Sequence, residues 1–198
     1  MAVDVGNRPI GVRWHGRGGQ GVVTVSRLLA EMALEEGLYF LSFPDYGAER
    51  SGAPILSYLR IAPGPINDRS HIEEPDAVVV LDPTLIGRVD LLAGLKKDGL
   101  LVLNTDKSPA EAVKELGIKT QKVCTVDATA LALELLQRNI PNVPILGALL
   151  KAMPIVPLEK ARETVQERLR ERFSERVVNA NLEALERGFQ EARVGGPK

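Results

Sequence analysis

Ile10-Gly11-Val12-Arg13-Trp14-His15-Gly16-Arg17-Gly18-Gly19-Gln20-Gly21 decides the reading of the fold. A short β-rich run ends in a glycine cluster, and Val22, Val25, Leu28, Leu29, Ala33 and Leu34 then recur near a 3.6-residue period, which predicts a helix over 22–36. Strand, glycine turn and helix together make an anion-site geometry. Glycine lets the backbone turn and lets a ligand approach closely, and a helix start offers unpaired N–H groups and a positive dipole end. Gly16, Gly18 and Gly21 satisfy G-x-G-x-x-G, a weak signal alone. The competing reading is a turn that packs helix against sheet and meets no ligand.

Working outward, residues 38–43 read as a second strand, residues 44–54 as an irregular loop and residues 55–61 as a third strand. The loop gathers Asp45, Tyr46, Glu49, Arg50 and Ser51, a mixture of acid, base, phenol and hydroxyl suited to function on a loop. A long polar connection over 62–75 follows. Residues 77–81 and 99–103 are continuous apolar runs of the kind found in buried parallel strands. Helices are expected over 88–95, over 109–116 with Ser108 as cap, and over 127–137; a strand is expected over 119–126. Residues 145–153 read as a buried or interface helix. Two amphipathic helices are expected over 158–173 and 175–192. Residues 159–193 carry eight basic and eight acidic side chains, which describes a salt-bridged, solvated face.

Alternating strands and helices predict an α/β three-layer sandwich with a mostly parallel, Rossmann-like sheet and C-terminal helices, one domain over 1–198 with a flexible tail from 191. Ligands of such sheets bind beyond the carboxyl ends of the strands. That rule brings the glycine turn, the 44–54 loop, Asp82 and Asn104 to one rim.

Composition excludes several classes. The formal net charge is −1 and the sequence pI about 6.2, so bulk electrostatics favour neither nucleic acid nor an anionic membrane. No apolar run reaches membrane-span length, and the first residues lack a signal-peptide pattern, so a cytoplasmic location is expected. Cys124 is the single cysteine, too few thiolates for an iron–sulfur cluster, and it sits in an apolar alternating run as a buried, inert thiol. His15 and His71 give no metal-ligand spacing. His15 beside the glycine cluster is read equally as a ligand contact or a hydrogen-bonded structural residue.

Three segments now fit together: Gly16-Arg17-Gly18-Gly19-Gln20-Gly21, Tyr46-Gly47-Ala48-Glu49-Arg50-Ser51-Gly52-Ala53-Pro54, and Asn181-Leu182-Glu183-Ala184-Leu185-Glu186-Arg187-Gly188. In order and spacing they resemble the gamma subunit (domain III) of the pyruvate and related 2-oxoacid:ferredoxin oxidoreductases, over about residues 9–190. The resemblance implies a complex that oxidises a 2-oxoacid, releases CO2, reduces ferredoxin and forms an acyl-CoA. Thiamine diphosphate with Mg2+ and the 4Fe–4S clusters would sit in alpha, beta and delta-type subunits, with no cofactor held by this chain alone. The gamma chain would serve coenzyme A access. The E-R-S-G-A-P loop looks closest to the pyruvate enzymes.

Carried over by position, Gly16, Arg17, Gly18, Gly19, Gln20 and Gly21 would form a loop near coenzyme A or a subunit interface. Tyr46, Glu49, Arg50 and Ser51 would face the shared site. Ser51 departs from the glycine or arginine of many relatives. Two other readings stand beside this one. A stand-alone NAD(P)-binding Rossmann protein would use Asp45, 24 residues after Gly21, as its ribose-binding acid. A purely architectural subunit would contact no ligand.

Overall fold

The computed structural model describes residues 8–46, with only the backbone of Tyr46, and residues 54–197. The glycine-led start holds as expected. Strand β1 (Ile10–Arg17) ends in the turn, and helix α1 (Val22–Glu35) begins directly after Gly21. Strand β2 (Tyr39–Tyr46) runs on through Pro44 and Asp45, and β3 (Pro54–Ala62) begins at Pro54. Both ends of the expected loop are therefore strand, drawn into ladders by the pairing of Asp45 with Leu56 and of Arg17 with Pro54. Pro44 fits because β2 is an edge strand, where a missing N–H costs no ladder bond on the open side.

The seven strands lie in the order β2-β3-β1-β4-β5-β6-β7, with β4 at Ala77–Val80, β5 at Leu100–Asn104, β6 at Lys122–Val126 and β7 at Arg193–Gly195. Strands β1, β4, β5 and β6 form a parallel centre. Strand β3 inserts antiparallel between β1 and β2, and β7 pairs antiparallel with β6. The sheet is mixed around a parallel core. The insertion departs from a dinucleotide-binding fold, in which the first two strands are neighbours. Asp45 therefore stands two strands away from the glycine turn, and the ribose-binding role read for it fails.

One face of the sheet is covered by α1, α3 (Ala128–Leu136), α4 (Asn142–Ala152), α5 (Leu158–Arg170) and α6 (Glu175–Glu191), which bury Trp14, Leu29, Met32, Leu146 and Leu149 in the main core. The other face carries the smaller cluster under α2 (Pro109–Leu116), with Leu85, Leu91 and Leu95. No helix forms over 88–95. A 3-10 turn, Pro83–Leu85, precedes the segment and turns continue through it; Gly87 just before it and Gly94 within it take left-handed φ values of 75° and 68°. Asp90 also accepts from Leu92 N at 3.1 Å, an Asx-type turn. Helix α2 has the expected Ser108 cap, completed by Glu111 into a capping box.

Helix α4 begins earlier than expected, at Asn142, and α5 stops earlier, at Arg170. Strand β7 occupies part of the expected tail. Helices α4 and α6 touch backbone to backbone. A Cβ on Gly147 would lie 2.2 Å from Leu185 O, and one on Gly188 would lie 2.1 Å from Pro144 O. Gly188, the last residue of the C-terminal motif, is therefore explained by packing.

Candidate functional site

At the carboxyl rim the glycine turn is a latched structure. Gln20 N donates to Arg17 O at 3.2 Å, and the Gln20 side chain folds back so that Oε1 accepts from Arg17 N at 2.8 Å. Its Nε2 donates to Asp82 at 2.8 Å, which ties the end of β1 to the end of β4. Arg17 Nε lies 3.2 Å from the same Asp82 carboxylate. Asp82 further accepts from Thr84 N at 2.8 Å and from Thr84 Oγ1 at 2.6 Å. Burial pushes the Asp82 carboxyl upward. Hydrogen bonds from the side chain and backbone of Thr84 and from Gln20, with Arg17 close by, outweigh that and hold it below its ordinary value.

The turn glycines divide by cause. A Cβ on Gly16 would lie 2.5 Å from Val22, and one on Gly21 would lie 2.4 Å from Asn142 Nδ2. Gly19 has φ +92° and open space around it. Helix α1 starts at Gly21 with no side-chain cap and no acidic residue in its first turn. Its first ladder bond runs from Val25 N to Gly21 O, so the N–H groups of Val22, Val23 and Thr24 lie outside the helical ladder.

Asn104, buried at the end of β5, extends the rim. It donates to Leu81 O at 2.7 Å and to Thr129 Oγ1 at 2.8 Å, and accepts from Thr129 N at 3.1 Å. The register also places Tyr46 level with Gly16, since both pair with Ile55. The glycine turn, Asp82, Asn104 and the end of β2 thus share one rim. Glu49, Arg50, Ser51 and the side chain of Tyr46 lie outside the described residues. Thr84 and Asn142 were missed by sequence reasoning. Thr84 follows Asp82-Pro83 as a helix-start signal, whereas nothing local marks Asn142.

His15 is structural. Burial, with Arg13 beside it, pushes its pKa down to about 4, and its Nε2 accepts from Arg13 Nε at 3.1 Å. Cys124 is fully buried, its pKa pushed up by burial to about 12. At the opposite rim a cleft of about 340 Å³ is lined by Arg60, Asp68, Asp76 and Lys96 among others. These charges satisfy one another: Asp76 meets Lys96 at 2.8 Å and Gly11 N at 2.8 Å, and Arg60 meets Asp68 at 2.9 Å. Among the described residues no group of three or more His, Cys, Asp or Glu could hold a metal ion. With one cysteine, the chain does not fit an iron–sulfur cluster of its own. No helix of the described residues is long and apolar enough to cross a membrane.

The described residues thus form a mixed α/β sheet with a latched glycine turn at its carboxyl rim. The chain belongs to the pyruvate ferredoxin/flavodoxin oxidoreductase family, whose model matches residues 11–191. It is 45% identical over 182 residues to the pyruvate synthase subunit PorC of Thermotoga maritima, covering 92% of this chain and 94% of that one. It is 46% identical over 178 residues to the pyruvate/ketoisovalerate oxidoreductases common subunit gamma of Pyrococcus furiosus, covering 90% and 96%. The crystal structure of the Thermotoga maritima pyruvate oxidoreductase subunit PORC superposes with a TM-score of 0.82 at 42% identity, covering 95% of this chain and 99% of that one.

Proposed function

We propose that the chain is the gamma subunit of a multisubunit 2-oxoacid:ferredoxin oxidoreductase, with pyruvate as the oxoacid. The complex converts the oxoacid, coenzyme A and two oxidised ferredoxins into acyl-CoA, CO2, two reduced ferredoxins and a proton. The observation that carries this reading is the end-to-end match to Thermotoga maritima PorC, with nearly the whole of each chain aligned. Alpha, beta and delta-type partners hold thiamine diphosphate, Mg2+ and the clusters. The single cysteine of this chain supports that division. One gamma subunit named as common to pyruvate and ketoisovalerate enzymes supports oxoacid selection by the partner chains.

Within the complex the glycine turn lies on the coenzyme A side. Its uncapped helix start, with Arg17 in the same turn, suits a phosphate-bearing anion. Gly18, Gly19 and Gln20 shape the turn, and Tyr46, Glu49, Arg50 and Ser51 are assigned to the same coenzyme role by the resemblance alone. Substituting Gln20→Ala or Arg50→Ala raises the apparent KM for coenzyme A in the assembled enzyme without loosening assembly. A second, architectural reading is favoured by one observation, the packing need for glycine at Gly16 and Gly21. It predicts unchanged coenzyme A kinetics in both variants.

A further inference from the structure

Strand β2 is one edge of the sheet, and among the described residues no strand pairs with its outer side. It is eight residues long, and Asp45 is its only charged residue. Tyr39 and Phe40 are 49% and 39% exposed, and Leu34 near the end of α1 is 56% exposed. The opposite edge is built differently. Strand β7 is three residues long, Arg193 Nη2 ties its start to Lys107 O at 3.0 Å, and Gly196 and Pro197 follow. Unpaired N–H and C=O groups template further pairing, and proteins blunt such edges by shortness, charge or proline. Edge β7 has all three features. The Tyr39–Phe43 part of β2 has none of them, and Pro44 removes a single N–H.

The direction of the main-chain groups on that edge follows from the ladders. Leu81 N donates to His15 O at 2.8 Å, so His15 faces β4 and Trp14 beside it faces β3. Ser57 pairs with Trp14 and faces β1, so Pro44, opposite Ser57, turns its main-chain groups outward. Ser42 and Phe40, two and four residues earlier, share that direction. The outer side therefore offers the N–H and C=O groups of Phe40 and Ser42 and the carbonyl of Pro44. Leu41 and Phe43 spend theirs on β3.

We propose that the outer side of β2 is the contact between two copies of this chain, paired antiparallel across a two-fold axis so that their sheets run on as one. The charge of the strand selects this arrangement. Antiparallel pairing sets the two Asp45 carboxylates towards opposite ends, against uncharged residues of the other copy. Parallel pairing in register would set them side by side. One patch serves both copies, as a two-fold contact requires. The blunted β7 edge stops the sheet from growing further, so the association closes at two. The same contact covers the exposed rings of Tyr39 and Phe40.

Amide exchange followed by NMR reads this edge directly in the full chain. Leu41 and Phe43 N–H are protected by β3 whether or not the edge is paired; Phe40 and Ser42 N–H are protected only when it is. The expected result is protection at Phe40 and Ser42 that grows with protein concentration, with a light-scattering mass of twice the 21.5 kDa of one chain. Phe40→Pro removes one outward N–H and leaves the ladder to β3 intact. It is expected to return the mass to 21.5 kDa and to make exchange at Ser42 fast. Phe40→Ala keeps that N–H and is expected to stay at twice the mass. Tyr39→Lys, which adds charge to the edge, is the second breaking variant should Phe40→Pro fail to fold. In the assembled oxidoreductase, purified without oxygen, either breaking variant is expected to halve the particle mass while each half keeps its partner chains. Fast exchange at Phe40 and Ser42 in the unaltered chain at every concentration overturns the proposal, as does a dimer that survives both breaking variants. Loss of a partner chain from the complex in either variant also overturns it, because the edge would then belong to a different subunit.

Discussion

The side-chain amide of Gln20 joins two strands through one residue, accepting from Arg17 N and donating to Asp82, both at 2.8 Å. The glycine turn is thereby fixed against the end of β4 rather than left as a free loop. Gln20→Ala removes a donor from a buried carboxylate and an acceptor from a main-chain N–H. A loss of about 1–3 kcal/mol in unfolding free energy is expected. Urea denaturation of the isolated chain measures it, and an unchanged midpoint would mean that the latch contributes nothing.

The crossing of α4 and α6 predicts a sharp contrast between glycines. Gly188→Ala drives a Cβ into Pro144 O and forces two packed helices apart, at a cost of about 2 kcal/mol or more. Gly64→Ala meets nothing within 4 Å, and the φ of Gly64 lies outside the left-handed region. It is expected to be neutral or to stabilise by about 0.5 kcal/mol through the unfolded state. Thermal unfolding of the two variants side by side separates them.

His15 sets a pH window. Its folded pKa is about 4 against an ordinary value of 6.5. Between those values the unfolded chain binds the proton and the folded chain does not, so stability falls as pH drops from 6.5 towards 4. The full contribution is about 3 kcal/mol. His15→Gln retains an acceptor for Arg13 Nε and should flatten that part of the profile. Asp82 and Asp76, held below the ordinary carboxylate value, add a further loss at lower pH as each is protonated. A wild-type profile flat from 6.5 to 4 would contradict the burial of His15.

Cys124 should be silent to thiol reagents in the native state. Burial removes both access and thiolate, with its Sγ 3.6 Å from Ala148 O. Ellman's reagent is expected to find one thiol per chain only after denaturation. Rapid labelling of the folded chain would place the β6–α4 packing in doubt.

What the sequence made legible was local. The apolar runs of β4 and β5, the Ser108 cap and the glycine-led start of α1 each carry their signal within a few residues, and the structure has them as expected. The insertion of β3 between β1 and β2 depends on pairing between distant segments, which periodicity does not encode. Strand β7 is three residues long, too short for any period to appear. The helix expected over 88–95 does not form, since left-handed glycines stand just before it at Gly87 and within it at Gly94. At the rim, Asp82 and Asn104 followed from strand ends alone. Asn142 did not, since its meaning lies in a contact with Gly21 across the fold.

The most direct test of the account is an affinity purification of the tagged chain from its native host, grown and lysed without oxygen. Bound chains would be identified by mass spectrometry, iron and thiamine diphosphate quantified, and the eluate assayed for oxoacid- and coenzyme A-dependent dye reduction. The account predicts co-elution with a thiamine-binding chain and a ferredoxin-like chain, with pyruvate-dependent activity. A chain that elutes alone, colourless and free of iron, would contradict it.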